Sequence, residues 1–283
     1  PSTHIATISI PHIDWNGSET IIFSATDGGD PDGVGTSEAI TVESNEVLFT
    51  VDSVNDAPVA TGASELTSVI EEVDNEINTG EIVDVLFLSN FDDSTDGINN
   101  GSSANELAGI AIVSDESSDL EEGDWEYSSD GTTWSPLPEV SDASAFLISP
   151  STYLRFNPIE NYNGSPGEIS VRLVDDSPLD SFSEFSDVDL SSDGSYGDIS
   201  EYSENEVNLT TTVNPYNDPP EIAHIPDQTI LEGSTFSIIE LDGYFISDVE
   251  TDVADMIWSY SGNTELSVAI DPSTHIATIS IPH

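Results

Sequence analysis

The sequence predicts an all-β fold in which β-sandwich domains are arranged end to end. Apolar and polar residues alternate over short runs, no long stretch keeps the period of a helix, and strand-like runs end at proline. One such ending, Val-Asp-Ser-Val-Asn-Asp-Ala-Pro at residues 51–58, returns as Val-Asn-Pro-Tyr-Asn-Asp-Pro-Pro at residues 213–220. Proline lacks an amide donor and keeps the preceding residue extended. We therefore interpret each copy as a junction between domains.

Length and composition limit the size and class of the protein. The 283 residues give room for about two domains, each with its own core. The apolar fraction of 36% is low but lies in alternating runs, so it does not indicate disorder. No segment approaches the roughly 20 apolar residues of a transmembrane helix, and no membrane insertion is expected. Without an initiator Met or a signal peptide, we expect the chain to be a piece of a longer one.

The charge of the chain restricts its partners. There are 56 Asp and Glu but only two basic residues, Arg155 and Arg172, for a formal net charge of −54. Nucleic acids and anionic lipids are excluded as partners, because their binding depends on Lys and Arg at the phosphates. Such a surface repels itself and destabilises the compact state unless salt or bound counter-ions offset the repulsion. High salt and millimolar calcium are the two environments that fit.

The residue types argue against an enzyme. The absence of Cys and Lys excludes disulfides, thiol nucleophiles, Schiff-base lysines and phosphate-binding Lys loops, and His without Cys makes zinc unexpected. A pair of carboxylates could hydrolyse a glycosidic bond, but among 56 acids such pairs arise by chance. Stiffness outside the cell would then have to come from packing and a bound metal.

A repeat longer than a domain sets the domain boundaries. Residues 1–12 are identical to residues 272–283, an offset of 271 residues. Joining residues 219–283 to residues 13–57 gives a continuous sequence of about 110 residues, which is a normal β-sandwich length. We therefore predict three parts, described by their place in this repeat: the C-terminal half of a sandwich domain at 1–57, a complete central domain at 58–218, and the N-terminal half of the next copy at 219–283.

Two arrangements explain this repeat. The chain could be one window on a giant tandem array, or separate chains could complete each other's split domain head to tail and so form a filament. The twelve duplicated residues would be redundant in the filament, which favours the array. Asp14-Trp-Asn-Gly-Ser also matches Asn161-Tyr-Asn-Gly-Ser in the same relative position, so both domain types share one strand plan. The central domain has about fifteen additional residues near 187–200.

Alternation places the strands. In the two terminal segments we predict strands at residues 5–10, 20–27, 38–42, 47–54, 229–239, 256–261, 266–270 and 275–281. In the central domain we predict strands at residues 64–72, 82–88, 108–114, 123–128, 132–137, 146–148, 153–156, 168–175 and 206–213.

The aromatic residues are expected to serve mainly in packing. Asp130-Gly131 predicts a hairpin turn, across which Trp125, Tyr127 and Trp134 could pair. Trp258 is expected to lie over the core of its domain. The alternative is that the Trp125–Trp134 hairpin binds a glycan or ice, which would make the chain a ligand-binding module with a surface glycan as its partner.

These motifs resemble the cadherin-like, Ig-like tandem repeat domains of giant bacterial surface proteins, adhesins among them. Ser24-Ala-Thr-Asp-Gly-Gly-Asp-Pro followed by the first junction is similar to the closing half of such a repeat, and Asp-Trp-Asn-Gly is typical of the bacterial versions. Glu232 is similar to the acid that these domains place on their first strand. The Asp-Arg-Glu ligand motif of animal cadherins is absent. The resemblance implies calcium at the junctions.

Calcium takes about six to eight oxygen ligands, including backbone and Asn carbonyls. Several carboxylates at a junction without Lys or Arg nearby need a cation, so the candidate ligands are the acids close to the two junctions. At the first junction these are Asp27, Asp52 and Asp56, joined by Glu71 or Glu72 of the next domain. At the second junction they are Asp175, Asp176, Asp218, Glu232, Asp248 and Glu250.

The sequence therefore leads to a functional hypothesis. We expect a structural and adhesive repeat segment of a giant extracellular, cell-surface protein or filament, stiffened by calcium, whose partners are neighbouring copies of the same repeat. The alternatives are the glycan- or ice-binding module and the self-complementing filament subunit.

Overall fold

The computed structural model describes residues 4–29, 38–97, 106–177 and 182–282. Strands dominate and the few helices are short, which confirms the all-β prediction. The chain divides into two compact units, residues 1–214 and 215–283. No helix in the described part of the chain is both long and apolar enough to cross a membrane.

The first unit begins with an isolated hairpin. Strands β1 (Gly17–Thr26) and β2 (Thr41–Val51) are antiparallel, with Gly17 opposite Val51 and Thr26 opposite Thr41. The strands predicted at 38–42 and 47–54 are thus one strand, and the strand predicted at 5–10 is not formed. None of the described residues from 4 to 57 is buried. This hairpin therefore has no core of its own.

The central domain follows and contains two larger sheets. The strands are β3 (Val59–Ala60), β4 (Ser64–Glu65), β5 (Val69–Ile70), β6 (Glu81–Ile82), β7 (Phe91–Asp92), β8 (Leu107–Asp115), β9 (Gly123–Ser128), β10 (Ser135–Pro136), β11 (Ala145–Ile148), β12 (Tyr153–Pro158), β13 (Ile169–Asp175), β14 (Asp187–Val188), β15 (Val207–Thr210) and β16 (Val213–Asn214). The strand orders of the two larger sheets are β10-β9-β12-β6 and β14-β11-β8-β13-β15-β4. In addition, β3 pairs with β7 and β5 pairs with β16.

One continuous core holds these two sheets together. Ile110, Ile148 and Leu209 from the six-stranded sheet are buried in the same cluster as Trp125 and Phe156 from the four-stranded sheet. The rings of Trp125 and Phe156 meet edge to face with their centroids 5.4 Å apart. Burial of this apolar surface is the main stabilising contribution to the domain.

The segment predicted as a strand at 82–88 forms a helix after its first residue. Helix α1 spans Val83–Phe87 and continues into a 3-10 turn at Leu88–Asn90. Val83, Leu86 and Phe87 have the spacing of one helical face and are buried in the core. Over so short a run, apolar spacing does not distinguish a strand from a helix, and tertiary packing decided between them.

Both arginines lie inside the central domain. Arg155 is 3% exposed, its Nε donates a hydrogen bond of 2.6 Å to Glu126, and its guanidinium lies 4.1 Å from the centre of the Trp134 ring. Arg172 is 5% exposed, pairs with Glu206 at 2.8 Å and lies over the ring of Tyr196. The only two basic residues of the chain are thus used in internal contacts.

The second unit is small and open. Its strands are β17 (Glu221–Ile222), β18 (Ile239–Glu240), β19 (Phe245–Ser247), β20 (Ser267–Ile270) and β21 (Ile276–Ser280), with 3-10 turns at Leu241–Tyr244 and Val253–Asp255. They form the sheets β17-β19 and β18-β21-β20, whereas the strands predicted at 229–239 and 256–261 are absent apart from residue 239. Among the described residues of this unit, the buried ones are Leu241, His275 and Ala277.

Candidate metal centre

The first junction is held against the central domain by four hydrogen bonds, one of which is donated by the side-chain amide of Asn55 to the carbonyl of Ser200 at 3.0 Å. The Asn55 side-chain amide donates to the carboxylate of Asp175 at 3.1 Å, and the backbone amide of Asp56 donates to the carboxylate of Asp96 at 3.2 Å. The backbone amide of Ala57 donates to the carbonyl of Asp198 at 2.9 Å. The linker between the hairpin and the central domain is therefore fixed among acidic residues.

Asp93 is the acid at this junction whose surroundings are least favourable for a negative charge. It is 5% exposed, and neither of its carboxylate oxygens accepts a hydrogen bond from the described residues. Burial, followed by the charges of Asp175, Asp96, Asp56 and Asp176, raises the pKa of Asp93 from its ordinary 3.8 to about 7. A buried carboxylate without a partner is costly, and a bound divalent cation is one way to remove that cost.

Other groups at the junction are also in unfavourable surroundings. Burial raises the pKa of Asp175, which is completely buried, and burial together with the charges of Asp14 and Asp198 raises the pKa of Asp56. The Oδ1 atom of Asn55 is buried without a donor among the described residues. Neither arginine is available to neutralise these acids, because each is engaged within the central domain.

The second junction repeats this arrangement inside the second unit. The backbone amide of Asp218 donates to the carboxylate of Glu250 at 3.1 Å, as that of Asp56 does to Asp96. Asp248 accepts hydrogen bonds from the backbone amides of Glu250 and Thr251. The Oδ2 atom of Asp218 is buried and accepts no hydrogen bond within the described residues. The two linker copies thus have the same local chemistry.

Two pairs of predicted ligands lie at the end of the central domain opposite to the one that the sequence predicts. Asp175 lies at the first junction beside Asn55, and the neighbouring Asp176 accepts a hydrogen bond from the amide of Glu106. The sequence prediction had placed both acids at the second junction. Asp175 is the last residue of β13 and Asp176 follows it, and this end of the strand faces the first linker.

Glu71 and Glu72, one of which the sequence predicts as a ligand at the first junction, lie instead at the end of the central domain that contains β16. Glu71 accepts a hydrogen bond from the side chain of Asn163, and its amide donates to Asn214 beside β16. Glu72 accepts one from the amide of Asn161. Since β15 and β13 are antiparallel, this end is separated from Asp175 by the seven residues of β13, or roughly 20 Å. The structure therefore does not bring Glu71 or Glu72 to Asp56, as the sequence predicts for one of them.

Three further predicted ligands are not brought into the clusters. Asp27 accepts hydrogen bonds from the amides of Gly29 and Ile40, which lower its pKa, and it lies at the Thr41 end of the hairpin. Asp52 is exposed and follows the other end, so ten strand residues, or roughly 30 Å, separate the two acids. Glu232 is exposed, and no described contact joins it to Asp218 or Asp248.

Sequence reasoning missed Asp93 and Asp96, the acids that complete the first cluster. They lie between the strands predicted at 82–88 and 108–114, where no ligand was predicted. A signal was present, because Phe91-Asp-Asp-Ser-Thr-Asp and Phe245-Ile-Ser-Asp-Val-Glu follow the two junctions at similar distances. Among the described residues, no three His, Cys, Asp or Glu side chains are already close enough together to hold a metal ion.

The aromatic hairpin is part of the packing of the central domain. Its turn is as predicted, since Asp130 accepts hydrogen bonds from the amides of Thr132 and Thr133. Trp125 is 1% exposed and donates to the carbonyl of Gly167, while Trp134 covers the guanidinium of Arg155. The two indoles therefore do not form one exposed platform.

Replacing Trp134 with Ala should lower the free energy of unfolding by about 1–3 kcal/mol, because the Arg155 guanidinium loses its aromatic cover. Chemical denaturation of the variant measures this loss. A matched control is Tyr260→Ala, which removes an exposed aromatic ring from the second unit and should leave the stability of the central domain unchanged. Unchanged stability of Trp134→Ala would support the ligand-binding alternative.

Comparisons with known proteins found no matching family model, no significantly similar curated protein and no significantly similar solved structure.

Proposed function

We propose that this chain is a structural and adhesive segment of an extracellular, cell-surface protein. In this proposal, cadherin-like β-sandwich domains follow one another and calcium bound at the acidic junctions stiffens the row. The observation that carries the proposal is that the two junctions share two features. In each copy, the linker Asp donates its amide to an acid of the following domain, and buried carboxylate oxygens lack donors among the described residues.

Calcium fits the ligand types at the first junction. Hard oxygen ligands are what this ion prefers, and Asp56, Asp93, Asp96 and Asp175 supply carboxylates while Asn55 supplies an amide oxygen. The acids repel one another as long as they are charged, which is consistent with their not being already gathered into metal-ligand distance. At the second junction the corresponding residues are Asp218, Asp248 and Glu250.

A divalent ion would supply positive charge at these joints and replace repulsion with bridging. Asn55, Asp56 and Ala57 are already hydrogen-bonded to the central domain, so the linker geometry is partly fixed before an ion binds. A net charge of −54 without disulfides is also consistent with an extracellular location rich in calcium or salt. A stiffened row of domains is what a surface protein needs to hold a binding end away from the cell.

Calcium should raise the thermal midpoint of the chain in low salt, and this effect should grow as the pH rises from 5 to 8. The raised pKa of Asp93 means that the folded, calcium-free protein keeps a proton between about pH 4 and 7 that the unfolded chain releases. Its stability therefore falls as the pH rises through this range, and calcium offsets the loss. Calorimetric melts with calcium or chelator at both pH values measure the effect.

Magnesium at the same ionic strength is the control, because its smaller, octahedral shell fits a cage of many protein oxygens poorly. An unchanged midpoint with calcium at pH 8 in low salt would contradict the proposal. Equal shifts with calcium and magnesium would indicate charge screening rather than a specific site.

A further inference from the structure

The two terminal segments expose apolar side chains of the kind that the central domain buries in its core. In the first segment, a groove of about 380 Å³ is lined by Ile8, Ile10, Trp15, Ile21 and Phe49, among others, although no described residue from 4 to 57 is buried. Large apolar groups that are left in water cost roughly 25 cal/mol per Å² relative to burial. A segment of this length is only marginally able to form a stable core by itself.

The second unit has the same defect. Leu231 is 82% exposed and Ile257 is 95% exposed, and a groove of about 450 Å³ is lined by Phe236, Ile279 and Ile281, among others. Only Leu241, His275 and Ala277 are buried among the described residues of this unit. Both segments therefore present half of a core.

The duplicated peptide shows what each half lacks. In the second unit, β21 lies between β18 and β20, and the His275 Nδ1 atom lies 2.7 Å from the Asp242 carboxylate. The identical residues 4–10 form no strand, and Ile5 is 81% exposed. Since the sequence is the same, the strand depends on the residues at 239–271 that precede it. Among the described residues, those at 4–10 therefore lack the strand partners that the repeat itself encodes.

We propose that residues 4–57 of one copy complete a β-sandwich with residues 219–271 of another copy of this 271-residue repeat. The duplication argues for a second copy rather than an unrelated partner, because it fixes which residues follow β20 and in which register they pair. The completed unit has about 110 residues, the size of an ordinary sandwich. The other copy can precede this one in the same polypeptide or be a separate chain. This inference does not depend on calcium.

Hydrogen exchange on two proteins tests the proposal. One is the 283-residue chain, and the other is a two-repeat chain in which residues 1–271 are followed directly by residues 1–283. In the two-repeat chain, peptides from β1 and β2 should split into two equal populations, one exchanging more than about 1,000-fold more slowly than the other, because only the internal copy is completed. The measurement is made with chelator and with calcium, so that it is independent of the metal proposal.

The results also identify the source of the second copy. If protection from exchange in the 283-residue chain increases with protein concentration, and the chain associates in sedimentation, completion between separate chains is supported. Slow exchange confined to the two-repeat chain supports completion within one polypeptide. Fast exchange in every copy of both proteins overturns the proposal, and so does slow exchange in a monomeric 283-residue chain, which would then be completing itself.

Two neighbouring residues of β2 provide a matched pair of variants. Phe49 lines the groove, whereas Leu48 points to the opposite face of the strand and is 65% exposed. Phe49→Asp in the internal copy should remove the slowly exchanging population, and Leu48→Asp should retain it. Equal behaviour of the two variants would contradict the assignment of the groove as the completed face.

Discussion

Replacing Asp93 with Asn should stabilise the calcium-free protein and abolish the calcium response of the first junction. The variant removes a buried negative charge that lies among four other acids and accepts no hydrogen bond from the described residues. A pKa raised from 3.8 to about 7 corresponds to at most about 4 kcal/mol at pH 8, at roughly 1.4 kcal/mol per unit. Chemical denaturation at pH 8, with chelator and with calcium, measures both effects.

The adjacent acid provides the control for this variant. Asp92 is exposed and accepts a hydrogen bond from the amide of Ser94, which Asn can also accept. Asp92→Asn should therefore leave the stability and the calcium response close to those of the unaltered chain. If Asp93→Asn destabilises the chelated protein, or keeps its full calcium response, the first junction is not the calcium site. The second junction should respond to calcium in both variants.

Replacing Arg155 with Met should destabilise the central domain by about 3–5 kcal/mol. Its guanidinium donates to Glu126, to the side chain of Asn75 and to the backbone carbonyls of Asn75 and Asn78. The Glu126 side chain is 13% exposed, so Met leaves a buried carboxylate without its partner. Breaking a buried ion pair from one side is costly for this reason. Urea denaturation with calcium present isolates the effect from the junctions.

A second substitution separates the buried charge from lost packing. The double variant Glu126→Met/Arg155→Met no longer contains the stranded carboxylate, and we expect it to regain at least about 1 kcal/mol relative to Arg155→Met. The carbonyls of Asn75 and Asn78 stay without their donor in both variants, so recovery should be partial. Losses that simply add in the double variant would show that the ion pair is not coupled.

The sequence alone determined the features of this protein that depend on neighbouring residues. Alternation predicted Gly123–Ser128 with the bounds that the structure has and Leu107–Asp115 to within one residue at each end. The turn at Asp130 was predictable from the pair of residues that forms it. These signals are local, because alternation and turn geometry are fixed by a few consecutive residues.

Tertiary structure decided which acids meet. Asp175 lies 120 residues from Asn55 in the chain, and Asn163 lies 92 residues from Glu71, yet each pair is joined by a hydrogen bond. The direction of each antiparallel strand determines at which end of the domain its acids lie, and composition near a linker does not contain that information. The identical peptides at 1–12 and 272–283 show the same limit. A strand needs hydrogen-bonding neighbours, and only the folded surroundings of the second copy supply them.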